Sequence, residues 1–264
     1  MGELTRAEFD RLAARVHEGA ATAEELDLLE PYRARRAVML ASGFGARMMP
    51  VTKACPKPLV RIHGVRIIDS LLDALVDAGI EEIYLVRGYL AERFDELLGK
   101  YPSLRFIDNP DYASTNNISS AVLAAAHFEN AYVFESDLFL KNPALITRYQ
   151  YQSNYLGVPV EHTDDWCFTT EGGVIRDLKK GGDCCHHMYG ISYWSAEDGR
   201  RLADDLPRAF EDGPTKQRFW DDVPCVICRE NYEVVIRACS FDDIDEIDSF
   251  EELCAIDESY RGWE

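Results

Sequence analysis

From Arg36 onward the chain alternates short apolar runs with amphipathic helical stretches, and this alternation restricts the fold more than any other feature. Ala37 to Ala41 reads as a strand entering a glycine-rich turn, Ile67 to Ala78 as a helix and Glu82 to Val86 as a strand. Leu90 to Leu98 is expected to be helix, Leu104 to Ile107 strand, Asn117 to His127 helix and Ala131 to Glu135 strand. Strands separated by helices at this spacing need crossover connections, which produce a mostly parallel sheet with helices on its faces. Ligands of such sheets lie in a crevice beyond the C-terminal ends of the strands. Past Asn142 the pattern loosens. We expect a helix near Ala144 to Gln150, then strands near Tyr155 to Val160, Trp166 to Thr169, Val174 to Leu178 and Tyr189 to Trp194. A helix over Ala196 to Phe210, a strand over Tyr232 to Ala238 and a last helix from Phe250 to Ser259 complete an α/β fold with a mixed, mostly parallel central sheet.

The first 35 residues follow a different pattern. Leu4, Phe9, Leu12 and Val16, then Leu26, Leu28 and Leu29 after Gly19, describe two short helices. Thr5 and Thr22 stand three residues before Glu8 and Glu25, the spacing of a capping box, in which the N-cap and the third residue satisfy each other's backbone N–H groups. This hairpin is too short to bury a core alone, so it packs on the main domain or on a second subunit, or is a remnant of a DNA-binding-like helical module. The expected boundaries are 1–35 for the hairpin and 36–264 for the α/β domain.

Charge excludes several partners. The 28 Lys and Arg against 47 Asp and Glu leave a net charge of −19. A nucleic-acid backbone would be repelled, because affinity there comes from basic groups that release condensed counterions. No apolar run approaches the ~20 residues a bilayer needs. The polar opening MGELTRAEFD is unlike a secretory or transit signal, and the eight cysteines lack the regular spacing of a disulfide framework. We therefore expect a cytoplasmic protein with reduced thiols that binds neither nucleic acid nor membrane. A zinc site at Cys184-Cys185-His186-His187 or Cys225 and Cys228 is set aside, since the first are adjacent rather than spaced and the second have no partner pair.

A small anion can still bind where local cations reverse the field, and the segment Leu40 to Val60, LASGFGARMMPVTKACPKPLV, supplies them. A strand ends in Ser42-Gly43-Phe44-Gly45, where glycines let backbone amides approach an anion, and Arg47, Lys53 and Lys57 follow. The Gly-Lys-Ser/Thr ending of a P-loop and the third glycine of a dinucleotide fingerprint are both missing. Taken whole, the segment resembles the signature of the sugar-phosphate nucleotidylyltransferase superfamily: a leucine-rich strand, G-x-G-x-R, a Pro-x-Thr step and Pro-Lys-x-Leu-Val. The resemblance implies a Rossmann-like nucleotidyltransferase domain in which Arg47 contacts the leaving pyrophosphate and Lys57 the phosphates at the reacting centre. The nucleotide would lie against Leu40, Ala41, Ser42, Gly43 and Gly45. Its base would be read near Leu40 to Ser42 and Gly88, with Asn117 as a side-chain contact.

Later stretches are similar to bacterial CTP:phosphocholine cytidylyltransferases. These are Gly88-Tyr89, Asn116-Asn117, SDLFL with Asp137, DDWCF with Trp166, YGISYW with Gly190, FWDDV from Phe219 and DEIDS from Asp245. The likeness spans roughly residues 36–258; Ser42 stands where that family often has alanine. It implies that Asp137 and Asp248 hold Mg²⁺, a hard cation suited to carboxylate oxygens and completed by substrate phosphates. It further implies that Trp166, Phe219 and Trp220, with Asp221 and Glu246, bind choline through π faces and carboxylates. The expected reaction is attack by a phosphocholine oxygen on the α-phosphorus of CTP, giving CDP-choline and pyrophosphate without a covalent intermediate. The alternatives are cytidylyl transfer to 2-aminoethylphosphonate, a sugar 1-phosphate substrate, or a catalytically silent nucleotide-binding regulator. Oligomeric state stays open, with a homodimer admitted.

Overall fold

Each apolar run of the alternating region becomes a strand of one sheet in the computed structural model, which describes residues 3–263. Met1, Gly2 and Glu264, which fall inside the boundaries 1–35 and 36–264, lie outside the described residues. In chain order the regular elements are α1 (Arg6–His17), α2 (Ala23–Leu29), β1 (Arg36–Ala41), β2 (Arg61–Ile62), β3 (Val65–Arg66), α3 (Ile67–Asp77), β4 (Glu82–Arg87) and β5 (Arg105–Asp108). They continue with α4 (Ile118–Ala124), β6 (Ala131–Glu135), β7 (Leu138–Leu140), β8 (Asn154–Glu171), β9 (Val174–Trp194), α5 (Ala196–Glu211), β10 (Val235–Ala238), β11 (Ile244–Glu246) and α6 (Phe250–Ile256).

The seven-stranded sheet runs β10-β8-β9-β6-β1-β4-β5. β1 pairs parallel with β4 and β6, β4 with β5, and β10 with β8, whereas β9 is antiparallel to β6 and β8. This is the mixed, mostly parallel sheet expected from the sequence. Its central strands are apolar on both faces because helices cover both. Met39, Leu85, Tyr132 and Phe134 pack toward α3, while Val38, Val86, Val133 and Trp194 pack toward α4 and α5.

Both capping boxes form, Thr5 with Glu8 and Thr22 with Glu25. The hairpin folds onto the α/β domain through Phe9, Leu12, Leu29 and Tyr32, against Tyr149 and Tyr151. Phe9 meets both tyrosines Tyr32 and Tyr151 at ring separations of 5.3 and 5.4 Å.

Three local expectations change. Ala91–Gly99 forms successive 3-10 turns rather than an α-helix. Its buried residues Phe94 and Leu97 stand three apart, the period of that tighter helix, and Leu90 enters it with a φ of 49°. The expected helix near Ala144 to Gln150 shrinks to one turn at Pro143–Leu145. The backbone beyond it is used elsewhere: the Arg148 carbonyl accepts from the Ala34 N–H and the Gln150 N–H donates to the Tyr32 carbonyl. Finally, the four short strands expected between Tyr155 and Trp194 are two long ones, β8 and β9, forming a hairpin whose outer arm folds back so that Val174 pairs with Val235 of β10. Charged residues and glycines in that arm, such as Asp164, Asp165, Lys179 and Lys180, hide the pairing from a reading of apolar runs.

Candidate active site

The parallel strands β1 and β6 end beside each other, and the loops that leave them form one wall of a crevice of about 720 Å³. After β1 the chain turns through Ser42 to Gly45. Gly45 has a φ of 60°, and a Cβ there would stand 3.0 Å from the Lys57 Cβ, so glycine answers both the left-handed backbone and the close approach of Lys57. Thr52 Oγ1 donates to the Gly45 carbonyl at 2.8 Å, and the Tyr89 N–H donates to the Ser42 carbonyl at 3.0 Å. Ser42 and Ser120 share a hydrogen bond of 2.7 Å. Phe44 packs between Tyr89 and Tyr112 at the rim.

The carboxylates stand beside this turn. Asp137 follows β6 directly, whereas Asp248 is more than a hundred residues away in sequence. The short antiparallel pair β7 and β11 brings them together: Glu246 registers with Leu138, and the Ile247 N–H reaches the Asp137 carbonyl at 3.3 Å. Ile244 and Ile247 are buried, which turns Asp248 toward the crevice. Lys57 Nζ then lies between the two acids, donating to Asp137 Oδ2 at 3.0 Å and Asp248 Oδ1 at 2.9 Å, and Arg47 Nη2 sits 2.8 Å from Asp248 Oδ2. Burial opposes the charge on Lys57, but Asp137 and Asp248 outweigh it and hold its pKa above the ordinary lysine value. Burial likewise opposes ionisation of Asp248, and Lys57 and then Arg47 outweigh it, keeping that carboxyl below its usual range.

Asp137 Oδ1 is buried and has no hydrogen-bond partner. A carboxylate with one orphaned oxygen, sharing Lys57 with a second carboxylate, suits a divalent cation. Among the described residues no group of three His, Cys, Asp or Glu side chains forms a metal cluster. An ion here would thus rest on Asp137 and Asp248 alone and take its remaining ligands from water and substrate phosphates.

A smaller recess of about 50 Å³ opens from the crevice, with Glu135, Asp165, Asp221 and Glu246 in its wall beside Trp166 and Phe219. The two rings meet edge to face at 5.4 Å. Glu135, at the C-terminal end of β6, accepts from Asn117 Nδ2 at 3.0 Å, and Asn117 Oδ1 accepts from the Trp220 N–H at 2.9 Å. Gly190 leaves room for Glu135, since a Cβ at that position would fall 2.7 Å from its carboxylate. Burial raises the Glu135 carboxyl well above its ordinary value, with Asp137, Asp221 and Glu246 adding to the rise. For the same first reason Glu246 is pushed up to about 8 and Asp221 to about 7, the latter despite the hydrogen bond from Tyr155.

Most of the residues singled out in the sequence meet here: Leu40, Ala41, Ser42, Gly43, Gly45, Arg47, Lys57, Asn117, Asp137, Trp166, Phe219, Glu246 and Asp248 line the crevice, and Asp221 lines the recess. Two do not. Trp220 is 2% exposed and packs in the core against Phe128, Tyr155 and Trp194, so only its backbone serves the site. Gly88 lies behind the Tyr112 ring, which a Cβ would meet at 2.6 Å, and faces a separate surface groove. The sequence reading missed Glu135 and Asp165. The available signal for Glu135 was a single acid closing the otherwise apolar strand AYVFE beside Asp137.

The nucleotidyl transferase family model matches residues 36–154. A 2-aminoethylphosphonate cytidylyltransferase of Lancefieldella rimae is 37% identical over 85% of this chain and 92% of its own. A choline-phosphate cytidylyltransferase of Streptococcus pneumoniae is 29% identical over 84% of this chain and 97% of its own. The solved CTP:phosphocholine cytidylyltransferase of Streptococcus pneumoniae superposes with a TM-score of 0.79 at 26% identity, covering 87% of this chain and all of that one. A glucose-1-phosphate thymidylyltransferase structure from Bacillus anthracis, at 14% identity and a TM-score of 0.67, shares the fold. Fold, crevice and relatives together define a nucleotidyltransferase, an enzyme of the nucleotidyl transferase family. Within that family the chain belongs with the cytidylyltransferases.

Proposed function

We propose that this enzyme transfers CMP from CTP to a small phosphonate or phosphate that carries a primary ammonium, with 2-aminoethylphosphonate as the substrate that fits best. A phosphonate oxygen attacks the α-phosphorus of CTP, the P–O bond to the β-phosphate breaks, and pyrophosphate leaves. The nucleophile is already an anion at neutral pH, so alignment and charge neutralisation carry the catalysis rather than proton abstraction. In this reading Arg47 would hold the departing pyrophosphate and Lys57 the reacting phosphates, with Asp137 and Asp248 as the residues that would hold Mg²⁺. The ion supplies charge neutralisation at the triphosphate when bound.

The carboxylate-walled recess carries the choice of substrate. A primary ammonium has three N–H donors and needs oxygen acceptors, which Glu135, Asp221 and Glu246 supply. Phosphocholine is the second reading, favoured by the Trp166 and Phe219 rings, each face of which attracts a quaternary cation. The sequence had pointed to phosphocholine on three aromatics, and removal of Trp220 to the core weakens that argument.

Pyrophosphate release on mixing enzyme, CTP and Mg²⁺ with either acceptor tests the reading. A kcat/KM at least tenfold higher for 2-aminoethylphosphonate is the expected result. Equal or better turnover of phosphocholine would replace this proposal by the second reading, and no release with either would reject both.

A further inference from the structure

The N-terminal hairpin, outside the matched family region, closes a second groove. α1, the stretch from Ala144 to Gln152 and the first residues of β8 and β10 enclose about 570 Å³. That volume lies within the range of small-molecule sites. Both strands begin there, so the groove opens at the N-terminal end of the sheet, away from the crevice formed where β1 and β6 end.

Its lining differs from the surface of a chain with net charge −19. Arg6, His17, Arg148 and Arg237 line it against the single acid Asp77. Arg6 is paired with Asp10 at 2.9 Å. Arg148 Nε and Arg237 Nη1 reach only backbone carbonyls, those of Ala78 and Leu145, and Arg237 Nε and Nη2 are buried without any partner. A second orphan accompanies them. Asn154, 4% exposed, donates Nδ2 to Gln150 Oε1 and to the Gln152 carbonyl, which leaves its Oδ1 unpartnered. Val235 is in register with Asn154, so Arg237 follows two residues on along the same face of the sheet. With two residues at ~3.3 Å along the strand and ~4.8 Å across to its neighbour, the two side chains start about 8 Å apart, within reach of one small molecule.

We propose that this groove is a second ligand site, for a small organic anion that also carries an N–H or O–H donor. Its carboxylate or phosphate is taken by the fork of Arg237, turned forward on its flexible stem, with Arg148 adding charge. Its donor meets Asn154 Oδ1, and its apolar or aromatic body lies against Phe9 and Tyr151. Because α1 supplies one wall, the ligand ties the hairpin to the α/β domain, and the site exists only when the hairpin is docked.

Calorimetric titration of the full chain with 4-aminobenzoate, its crevice saturated with CTP and Mg²⁺, tests this, with 4-aminobenzamide as the uncharged control. We expect saturable binding of the carboxylate, at least tenfold weaker binding of the amide, and at least a tenfold loss of affinity in both Arg148→Gln and Arg237→Gln. Thermal melts of the two variants establish that they are folded; Arg148 lies at the surface, so its variant remains informative if loss of the Leu145 contact unfolds the other. Lys57→Met should bind the carboxylate as the parent does. No binding at millimolar 4-aminobenzoate, equal binding of the amide, unchanged affinity in Arg148→Gln, or loss of binding in Lys57→Met would each overturn the proposal.

Discussion

Glu135 shows how much one residue's surroundings decide. It stands at the end of a strand, fixed by Asn117 and fitted against Gly190, with Asp221 and Glu246 across the recess. Glu135→Gln keeps the shape and the acceptor for Asn117 but removes a carboxyl whose pKa burial raises and which a bound ammonium would draw back toward ionisation. A hydrogen bond to a charged group is worth about 1.5–3 kcal/mol, so KM for 2-aminoethylphosphonate should rise roughly 10- to 100-fold while KM for CTP changes less than about threefold. Parallel increases in both would place Glu135 in general site architecture instead. Asp221 gives a second expectation, in stability. Its carboxyl, held at about 7 by burial in the native state, keeps its proton where the unfolded chain has already released it. The native state is therefore penalised progressively as pH rises from about 4 to about 7, and the penalty is constant above that. Asp221→Asn has no such proton, so the melting temperature of the variant relative to the parent should climb between pH 5 and pH 8. A difference that does not vary with pH would show that Asp221 is ionised in the folded protein.

At the level of elements, the sheet was legible because its strands are continuous apolar runs, and the helices because their buried faces recur every three to four residues. The turn after β1 was legible as glycines followed by cations. Its geometry adds a constraint at Gly45, where a side chain would face both an unfavourable φ and the Lys57 Cβ. Gly45→Ala should lower stability by roughly 1–2 kcal/mol and displace Lys57 from Asp137 and Asp248, reducing kcat at least tenfold in the pyrophosphate assay. Near-normal kcat would mean that the turn tolerates a shift without moving Lys57. What stayed hidden were contacts made by short or irregular elements. β7 and β11 are three residues each, too short for alternation to register, yet their pairing brings Asp248 beside Asp137. Nor could composition separate Trp220, a core residue, from Trp166, which lines the crevice, because both are large aromatics beside acids.

For the whole molecule, electrostatics connects stability with substrate choice. If every one of the 28 Lys and Arg side chains were paired, 19 of the 47 carboxylates would remain without a cation. Within this excess the crevice gathers Arg47 and Lys57 side by side, each paired with Asp248. The surplus repulsion elsewhere is long-range and solvent-exposed, so it is screened once the Debye length falls from ~30 Å at 0.01 M salt to ~8 Å at 0.15 M. Added salt also weakens the surface ion pairs, but exposed pairs contribute only ~0–1 kcal/mol each and several here are marginal in distance, such as Arg36 with Glu82 at 3.6 Å. Relief of repulsion should win. Raising sodium chloride over that interval should relieve on the order of 1 kcal/mol and lift the melting temperature by about 2–4 °C, as expected for a domain of this size. A melting temperature that falls with salt would show instead that specific ion pairs, not the net excess of acid, dominate the stability of the fold.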